Sequence, residues 1–257
     1  MRSPMPTPPL PQPVALVTGA GRNIGRAIAL GLAASGHAVA VNVRASVDEG
    51  RAVVDEITRQ GGQALLCVAD VGARDAVGAT IERIAGHWGR LDVLVNNAAI
   101  RRESDLAELS AGDWHDTLRV ILDGAFFCSQ AALALLKASP QAAIVNIGGL
   151  TAHTGAAQRV HVVTAKAGLV GLTRALAHEL AASGITVNCV APGMIATLRQ
   201  ASSSSATPRH HATHQPLLGR RGTAQEVAQS VVFLASGAAR FITGQVLHVN
   251  GGTYLGG

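Results

Sequence analysis

A glycine-containing segment near the N-terminus has the residue types and spacing of a phosphate-binding loop. The segment TGAGRNIG, residues 18–25, follows the apolar run VALVT and opens a helix-like stretch. Glycines let the backbone approach a pyrophosphate closely, and a helix N-terminus supplies amide donors and a positive dipole end. Because the loop stands between a strand and a helix, and because NNAA at residues 96–99 follows a later strand, the pattern predicts a dinucleotide site.

A second candidate for chemistry is the lysine of RVHVVTAKAG, residues 159–168. Lysine occurs only twice in the chain, as Lys137 and Lys166, and arginine supplies nearly all of the remaining positive charge. A chance surface lysine is therefore a weaker explanation for Lys166, and a partly buried ammonium can have a lowered pKa. Four residues earlier, where a helix would place a partner on the same face, stands Val162.

Short apolar runs alternate with longer helix-like segments along the chain. The runs lack polar alternation, which indicates strands that are buried on both faces of a sheet. They are VALVT at 14–18, AVAVNV at 38–43, ALLCVAD at 64–70, LDVLVNNAA at 91–99, AAIVNIGG at 142–149, GITVNCVAPG at 184–193 and QVLHVNGG at 245–252. Seven strands alternating with helices predict an α/β fold: a Rossmann-like, doubly wound, seven-stranded parallel sheet with helices on both faces.

One domain is predicted over residues 14–257, preceded by a disordered tail at 1–13 that holds six of the ten prolines. The polar, Ser-rich segment at 196–216 is predicted to be a mobile lid loop. Within it, His210, His211 and His214 lack nearby carboxylate or cysteine ligands, so a solvated loop is favoured over a metal site.

Composition narrows the classes of function. The net charge is +5, but the basic residues are scattered and no basic run is interleaved with aromatics, so nucleic acid is not a predicted partner. The sequence has no uninterrupted run of about 18 apolar residues, so a membrane span is not predicted. Cys67, Cys128 and Cys189 are odd in number and lack C-x-x-C spacing, which favours buried thiols and a reducing cytoplasm.

Over about residues 14–253 the chain resembles the short-chain dehydrogenase/reductase family. The matching stretches are TGAGRNIG, Asp70 with Val71, NNAA, the TAKAG lysine segment, APGMIAT at 191–197 and the GQVLHVNGG ending. Asn23 replaces the middle glycine of the family's phosphate loop. Because Asn tolerates left-handed backbone better than other non-glycine residues, we expect the loop to keep its shape.

The choice of cofactor depends on the end of the second predicted strand, where an acidic residue would hold the adenosine 2′-hydroxyl. The sequence VNVRAS has no acid there, and Arg44 with Arg22 could pair with a 2′-phosphate, so NADP(H) is predicted in preference to NAD(H). The alternative is two surface arginines without a ligand. The resemblance implies that the cofactor contacts Gly19, Arg22, Asn23, Ile24, Gly25, Arg44, Asp70 and Val71 (adenine), Asn97 and Ala98 (ribose), Lys166, and Pro192, Gly193, Ile195 and Thr197 (nicotinamide end).

The resemblance also implies a proton relay of tyrosine, lysine, serine and asparagine, of which this chain has only Lys166. The tyrosine position is Val162, the serine position thirteen residues earlier is Gly149, and the asparagine position is Ile121. The only tyrosine, Tyr254, is three residues from the C-terminus. General acid catalysis is typically worth ~10² to 10⁴ in rate, so the loss is large.

Two hypotheses follow. The first is an NADP(H)-dependent oxidoreductase, on an unknown carbonyl or alcohol, whose proton donor has changed to His161, His153 or Lys166; either histidine is also typical of a surface or helix-start residue. The second is an inactive NADP(H)-binding pseudoenzyme that acts as a sensor or assembly subunit. Under both, the resemblance implies a homotetramer or homodimer built through the AFFCSQAALALL and LVGLTRALAHELA helices and the C-terminal strand.

Overall fold

A computed structural model describes residues 12–197 and 215–256 of the chain. The strands are β1 Val14–Val17, β2 Ala38–Val43, β3 Ala64–Val68, β4 Val93–Asn96, β5 Ala143–Ile147, β6 Thr186–Pro192, β7 Ile195–Ala196, β8 Gly222–Thr223 and β9 Val246–Val249. Seven of them form a central, fully parallel sheet in the order β3-β2-β1-β4-β5-β6-β9. The other two, β7 and β8, pair with each other outside it. The predicted fold class is confirmed.

Helices cover both faces of the sheet. They are α1 Asn23–Ala34, α2 Val47–Arg59, α3 Arg74–Trp88, α4 Ala111–Leu118, α5 Gly124–Ala138, α6 Thr151–Thr154, α7 Val160–Leu180 and α8 Ala224–Ala235. Residues of α1, α2 and α8 pack on one face, and residues of α3, α5 and α7 pack on the other. A π-helical turn, Arg119–Asp123, joins α4 to α5, and short 3₁₀ helices span Ala181–Ser183 and Gly237–Ala239.

The apolar runs form strands because both of their faces are covered. Every residue of β1, β2, β4, β5 and β6 is buried. The strand order reverses between β1, which leads outward to β2 and β3, and β4, which begins the other half of the sheet. A crevice opens at the carboxyl ends of the strands at such a switch point, and ligands of doubly wound sheets bind there.

The predicted strands run longer than the observed ones. The run at 91–99 shrinks to Val93–Asn96 and the run at 142–149 to Ala143–Ile147, because the residues that follow leave the sheet to form loops. The short strands β7 and β8 were not predicted, since two residues carry no periodic pattern. The prediction of buried thiols is confirmed, and burial raises the pKa of Cys67 to about 11 and that of Cys128 to about 12.

Two predicted segments fall mainly outside the described residues. Residues 1–11 of the tail and 198–214 of the lid loop, with His210, His211 and His214, are not among them. Within the described part, two helical stretches, Ala111–Ala138 and Val160–Ser183, are long and apolar enough to cross a membrane by length and composition alone. Both stretches contain helices that pack on the sheet, and a helix that packs in a core is apolar for that reason alone. The two stretches are therefore weak evidence for a membrane span.

Candidate functional site

The loop between β1 and α1 folds into a tight cradle. Gly19 has a φ of +62° and Asn23 a φ of +51°, so the prediction that Asn23 accepts left-handed backbone is confirmed. A Cβ on Gly25 would lie 2.3 Å from the Gly19 carbonyl oxygen and 2.5 Å from Nδ2 of Asn97. No side chain fits there. The backbone of the loop therefore forms the wall of the crevice at the N-terminus of α1, where amide donors can bind phosphate.

Polar groups at the end of β4 hold this loop in place. The Thr18 hydroxyl oxygen accepts hydrogen bonds from the backbone N–H groups of Asn97 (2.9 Å) and Ala98 (3.0 Å). In return, the Asn97 side-chain amide donates to the carbonyls of Thr18 (2.8 Å) and Gly19 (3.0 Å). The side-chain nitrogen of Asn97 thus braces the phosphate loop, so the ribose contact predicted for this residue would have to use its other groups.

A buried asparagine in β2 supports the loop from the other side. Oδ1 of Asn42 accepts from the Gly19 N–H at 3.4 Å, and Nδ2 donates to the carbonyls of Cys67 (3.2 Å) and Ala69 (3.1 Å). Neither Asn42 nor Thr18 was among the predicted site residues. The available signal was a lone amide in the apolar run AVAVNV, because a buried polar group must find hydrogen-bond partners.

Basic and acidic side chains surround the outer end of the crevice. Arg22, at the start of α1, lies 3.8 Å from the Glu49 carboxylate, and both side chains are partly exposed. Arg44 follows β2 and is exposed. Burial raises the pKa of Asp70, but hydrogen bonds from the Gly72 N–H (2.9 Å) and Arg119 (3.2 Å) outweigh it and leave the pKa below its usual range. Asp70 is therefore ionised beside the predicted adenine position.

Lys166 is buried within α7, with 6% of its surface exposed. Its ammonium donates a hydrogen bond to the carbonyl of Ile147, the last residue of β5. Burial, together with smaller effects of Arg101 and Arg159, lowers the pKa of Lys166 to about 7, while Cys189 acts in the opposite direction. A lysine with this pKa can both give and take a proton near neutral pH.

The three positions at which the sequence predicts a substituted relay differ from one another in what surrounds them. Val162 in α7 and Ile121 in the π-helical turn are each 2% exposed and carry no hydrogen-bonding side chain. At Gly149, just after β5, an added Cβ would meet no atom within 4 Å. Two of these predicted positions are thus filled by buried hydrocarbon, and the third borders open space.

The predicted nicotinamide end lies at the carboxyl end of β6. Pro192 is the last residue of β6, and its carbonyl accepts from the Leu150 N–H at 2.9 Å. Gly193 packs against Asn250 so closely that a Cβ would approach the Asn250 Cα to 2.7 Å. Ile195 lies in β7, and Thr197 is the last described residue before the gap. The parallel sheet therefore brings residues that follow β1, β4, β5 and β6 to one edge.

The two candidate substitute histidines lie in different surroundings. His161, the second residue of α7, is a helix-start residue as one alternative predicted, but it is buried and not on the surface. Burial and then Arg159 lower its pKa. His153 in α6 packs against His248 and Tyr254, with ring centroids 4.6 Å and 5.4 Å away. The contact with Tyr254 could not be predicted, because it joins residues about a hundred positions apart and leaves no local pattern.

Comparisons with known proteins agree with this architecture. The profile of the family described as enoyl-(acyl carrier protein) reductase matches residues 19–254. The 3-oxoacyl-[acyl-carrier-protein] reductase FabG of Staphylococcus aureus is 42% identical over 241 residues, which cover 94% of this chain and 98% of the relative. The (2S)-[(R)-hydroxy(phenyl)methyl]succinyl-CoA dehydrogenase subunit BbsD of Thauera aromatica is 40% identical, covering 94% and 96%. A crystal structure of a short-chain dehydrogenase from Burkholderia cenocepacia in complex with NADP superposes with a TM-score of 0.86 at 36% identity, covering 93% of this chain and 96% of that one.

Proposed function

Since this chain belongs to the short-chain dehydrogenase/reductase family, we propose that it is an NADP(H)-dependent oxidoreductase that interconverts a carbonyl and an alcohol, with Lys166 as proton donor and acceptor. The observation that carries the proposal is the position of this lysine. It is buried at the carboxyl end of β5, where it donates a hydrogen bond to the Ile147 carbonyl, and this burial lowers its pKa to about 7. An acid of that pKa is well matched to proton transfer at neutral pH.

The described residues fit a dinucleotide. The cradle of Gly19, Asn23 and Gly25 leaves its backbone open at the start of α1, and Arg22 and Arg44 supply cations at the outer end, where a 2′-phosphate would favour NADP(H) over NAD(H). The related Burkholderia dehydrogenase, which binds NADP, gives independent support. The contacts predicted for Ile24, Val71, Asn97 and Ala98 belong to the same proposal.

The chain's own part in the reaction is to hold the reactants and to move one proton. When bound, NADPH supplies a hydride to the carbonyl carbon. The carbon–oxygen π bond breaks, and the oxygen takes a proton from Nζ of Lys166, so an O–H bond forms and the lysine is left as a neutral amine. Burial favours the neutral amine, which regains its proton from water. In alcohol oxidation the neutral amine accepts the proton instead.

A second candidate function is an inactive NADP(H)-binding protein that serves as a sensor or assembly subunit. It is favoured by the buried hydrocarbon at Val162 and Ile121, where the family carries hydrogen-bonding groups. In that case Lys166 only binds the ribose of the cofactor. The two functions differ in whether Lys166 must lose its proton.

Replacing Lys166 by arginine separates these roles. Lys166→Arg keeps a cation and hydrogen-bond donors, but a guanidinium does not release a proton at accessible pH. We expect the wild-type protein to oxidise NADPH in the presence of a panel of aldehydes and ketones. In Lys166→Arg the rate should fall by ~10²-fold or more, while NADPH still raises the melting temperature. Lys166→Gln, a smaller side chain, tests the same loss if the arginine does not fit.

Three outcomes would contradict parts of the proposal. If Lys166→Arg and Lys166→Gln both reduce carbonyls at the wild-type rate, the lysine is not the proton donor. If the wild-type protein binds NADPH but none of the carbonyl compounds supports its oxidation, the binding function replaces the enzymatic one. Stabilisation by NADH equal to that by NADPH would remove the role given to Arg22 and Arg44.

We also propose a homotetramer or homodimer built through α5, α7 and β9. The two long apolar stretches that contain α5 and α7 bury only 44% of their most apolar windows within one chain. A second copy of the chain would cover such faces. The free buried thiols are compatible with the reducing cytoplasm that we propose as its location.

A further inference from the structure

A chain of hydrogen bonds between buried side chains joins β4 to β5 and β5 to α7. Nδ2 of Asn96 donates to Oδ1 of Asn146 at 2.9 Å, and Nδ2 of Asn146 donates to the Thr173 hydroxyl oxygen at 2.9 Å. The Thr173 hydroxyl donates in turn to the Leu169 carbonyl at 2.7 Å. Asn146 and Thr173 are fully buried. Because a polar group at such depth costs free energy unless it is paired, these bonds restrict how α7 can lie on the sheet.

The direction of every bond in this chain is determined by the helices. A hydroxyl has one proton, and Thr173 uses it within α7, so toward Asn146 it can only accept. The Asn146 amide must then turn its nitrogen to α7 and its oxygen to Asn96. The Ser129 hydroxyl, which donates within α5, likewise accepts from Asn96 at 3.4 Å. Oδ1 of Asn96 has no hydrogen-bond partner within the described part of the chain, so the bonds of its nitrogen decide its orientation.

Lys166 belongs to the same contact between β5 and α7. Its ammonium donates to the carbonyl of Ile147, the residue that follows Asn146 in β5. Lys166 and Thr173 are seven residues apart, about two helical turns, and both are buried, so they lie on the same face of α7. Two adjacent residues of one strand therefore hold two points of one helix. A rotation or a shift of α7 on β5 would disturb both points together.

The chain starts beside the residue that braces the phosphate loop. Asn96 is followed by Asn97, whose side-chain amide donates to the carbonyls of Thr18 and Gly19. β4 thus ends in two amides with different tasks. Asn97 holds the loop that suits the phosphates of the cofactor, and Asn96, through Asn146, holds the helix that carries the lysine.

We propose, on the basis of the function proposed above, that Asn146 and Thr173 are positioning residues that hold the Lys166 ammonium against the Ile147 carbonyl. Both act through α7 and not on the reactants. Without the Thr173 hydroxyl, Nδ2 of Asn146 would lose its partner in the core, and such a donor recruits water or moves until it is paired. Either response loosens the contact that keeps the ammonium of Lys166 out of water.

The low lysine content allows a direct test by NMR. The chain has two lysines, Lys137 and Lys166, so protein labelled with carbon-13 at lysine Cε gives two lysine signals, which Lys137→Arg assigns. In the wild type the Lys166 signal should titrate near pH 7, because burial lowers its pKa to about 7. Thr173→Val replaces the hydroxyl by a methyl group of similar size. In this variant the midpoint should rise by about one pH unit or more, because water reaches the ammonium. The pH midpoint of kcat/KM for NADPH oxidation should rise with it.

Further variants assign the effect to this hydrogen bond. Thr173→Ser keeps the hydroxyl and should restore most of the wild-type midpoint, and Thr173→Ala replaces the valine variant if that one does not fold. Asn146→Leu combined with Thr173→Val should shift the midpoint no further than either change alone, since the two residues act through one bond. The matched control is Thr186→Val. Thr186 is buried at the start of β6, and its hydroxyl has no hydrogen-bond partner among the described residues, so the same substitution should leave both midpoints unchanged.

The failures can be told apart. If the Thr173 variants lower the melting temperature while the Lys166 signal titrates as in the wild type, the two residues only stabilise the fold, and the positioning proposal is wrong. If the signal shifts but the midpoint of kcat/KM does not follow, the positioning proposal stands and Lys166 is not the proton donor. If the wild type oxidises NADPH with none of the carbonyl compounds, the oxidoreductase function fails. The NMR signals then still decide the positioning proposal, since a shift in Thr173→Val supports it and an unchanged midpoint overturns it.

Discussion

At Gly149 the site has room for a side chain, whereas at Val162 the space is already filled by the core. A Cβ at Gly149 meets nothing within 4 Å, so the Cβ that Gly149→Ser adds fits without adjustment. Val162→Tyr adds volume at a buried position and should cost about 1–3 kcal/mol of stability. We expect the double variant to reduce neutral ketones at least tenfold faster than the wild type, because it regains a phenolic acid and its partner. Steady-state NADPH oxidation measures this, with Gly149→Ser alone as the control. An unchanged rate in a folded double variant would indicate that this pocket no longer positions a ketone.

The pKa of Lys166 predicts how the activity depends on pH. Burial lowers this pKa from its usual value to about 7, so the ammonium is present below that pH and lost above it. Carbonyl reduction needs the protonated form, and kcat/KM should therefore be level at low pH and fall about tenfold per pH unit above about 7. Alcohol oxidation should show the opposite trend. A profile of kcat/KM between pH 5.5 and 9 tests this, and a flat profile across pH 7 would exclude Lys166 as the titrating group.

What the sequence could predict at this scale depended on whether a residue's role is local. The left-handed Asn23 follows from its place in the phosphate loop, and the proposed loss of the relay follows from counting positions. The burial of Arg159 and His161, and the packing of Tyr254 on His153, come from contacts between distant segments. No local pattern carries that information, so the cationic surroundings of Lys166 became visible only in the structure.

Among the elements, the loop from β1 to α1 has the least tolerance for change. A Cβ on Gly25 would lie 2.3 Å from a carbonyl oxygen and 2.5 Å from the Asn97 amide that braces the loop. Gly25→Ala must displace one of them, so we expect it to lower the stability by about 1–3 kcal/mol, to lower the melting temperature by ~2–4 °C per kcal/mol, and to abolish stabilisation by NADPH. Thermal melts with and without NADPH measure both effects.

The control for this change is another glycine in a helix. A Cβ on Gly78, within α3, meets nothing within 4 Å, and alanine is the better helix former by about 0.5–1 kcal/mol. Gly78→Ala should therefore keep or raise the melting temperature and leave the response to NADPH intact. Equal behaviour of the two variants would mean that Gly25 is not required for the shape of the cradle.

The elements themselves were predictable where burial alone decides them. Each of the seven sheet strands was predicted within a few residues, because a strand covered on both faces is apolar throughout. The π-helical turn at Arg119–Asp123 and the pair β7 and β8 were not predicted, since one wide turn and two-residue strands depend on tertiary contacts. The turn contains Ile121, the residue predicted to stand at the family's asparagine position.

For the whole molecule, the exposed apolar surface predicts that copies of the chain associate. Phe126 on α5 is 43% exposed and Leu247 on β9 is 37% exposed, and α5 belongs to a long apolar stretch that one chain covers only in part. Burying such side chains against another copy contributes about 25 cal/mol per Å² of apolar area removed from water. We expect light scattering after gel filtration to give a tetramer or dimer for the wild type, and Phe126→Glu or Leu247→Glu to give smaller species, because a desolvated carboxylate in an interface is costly. Arg59→Glu, which introduces the same side chain at an exposed position on α2, should leave the assembly intact. A wild-type monomer would instead require these apolar faces to be covered by something other than a second copy.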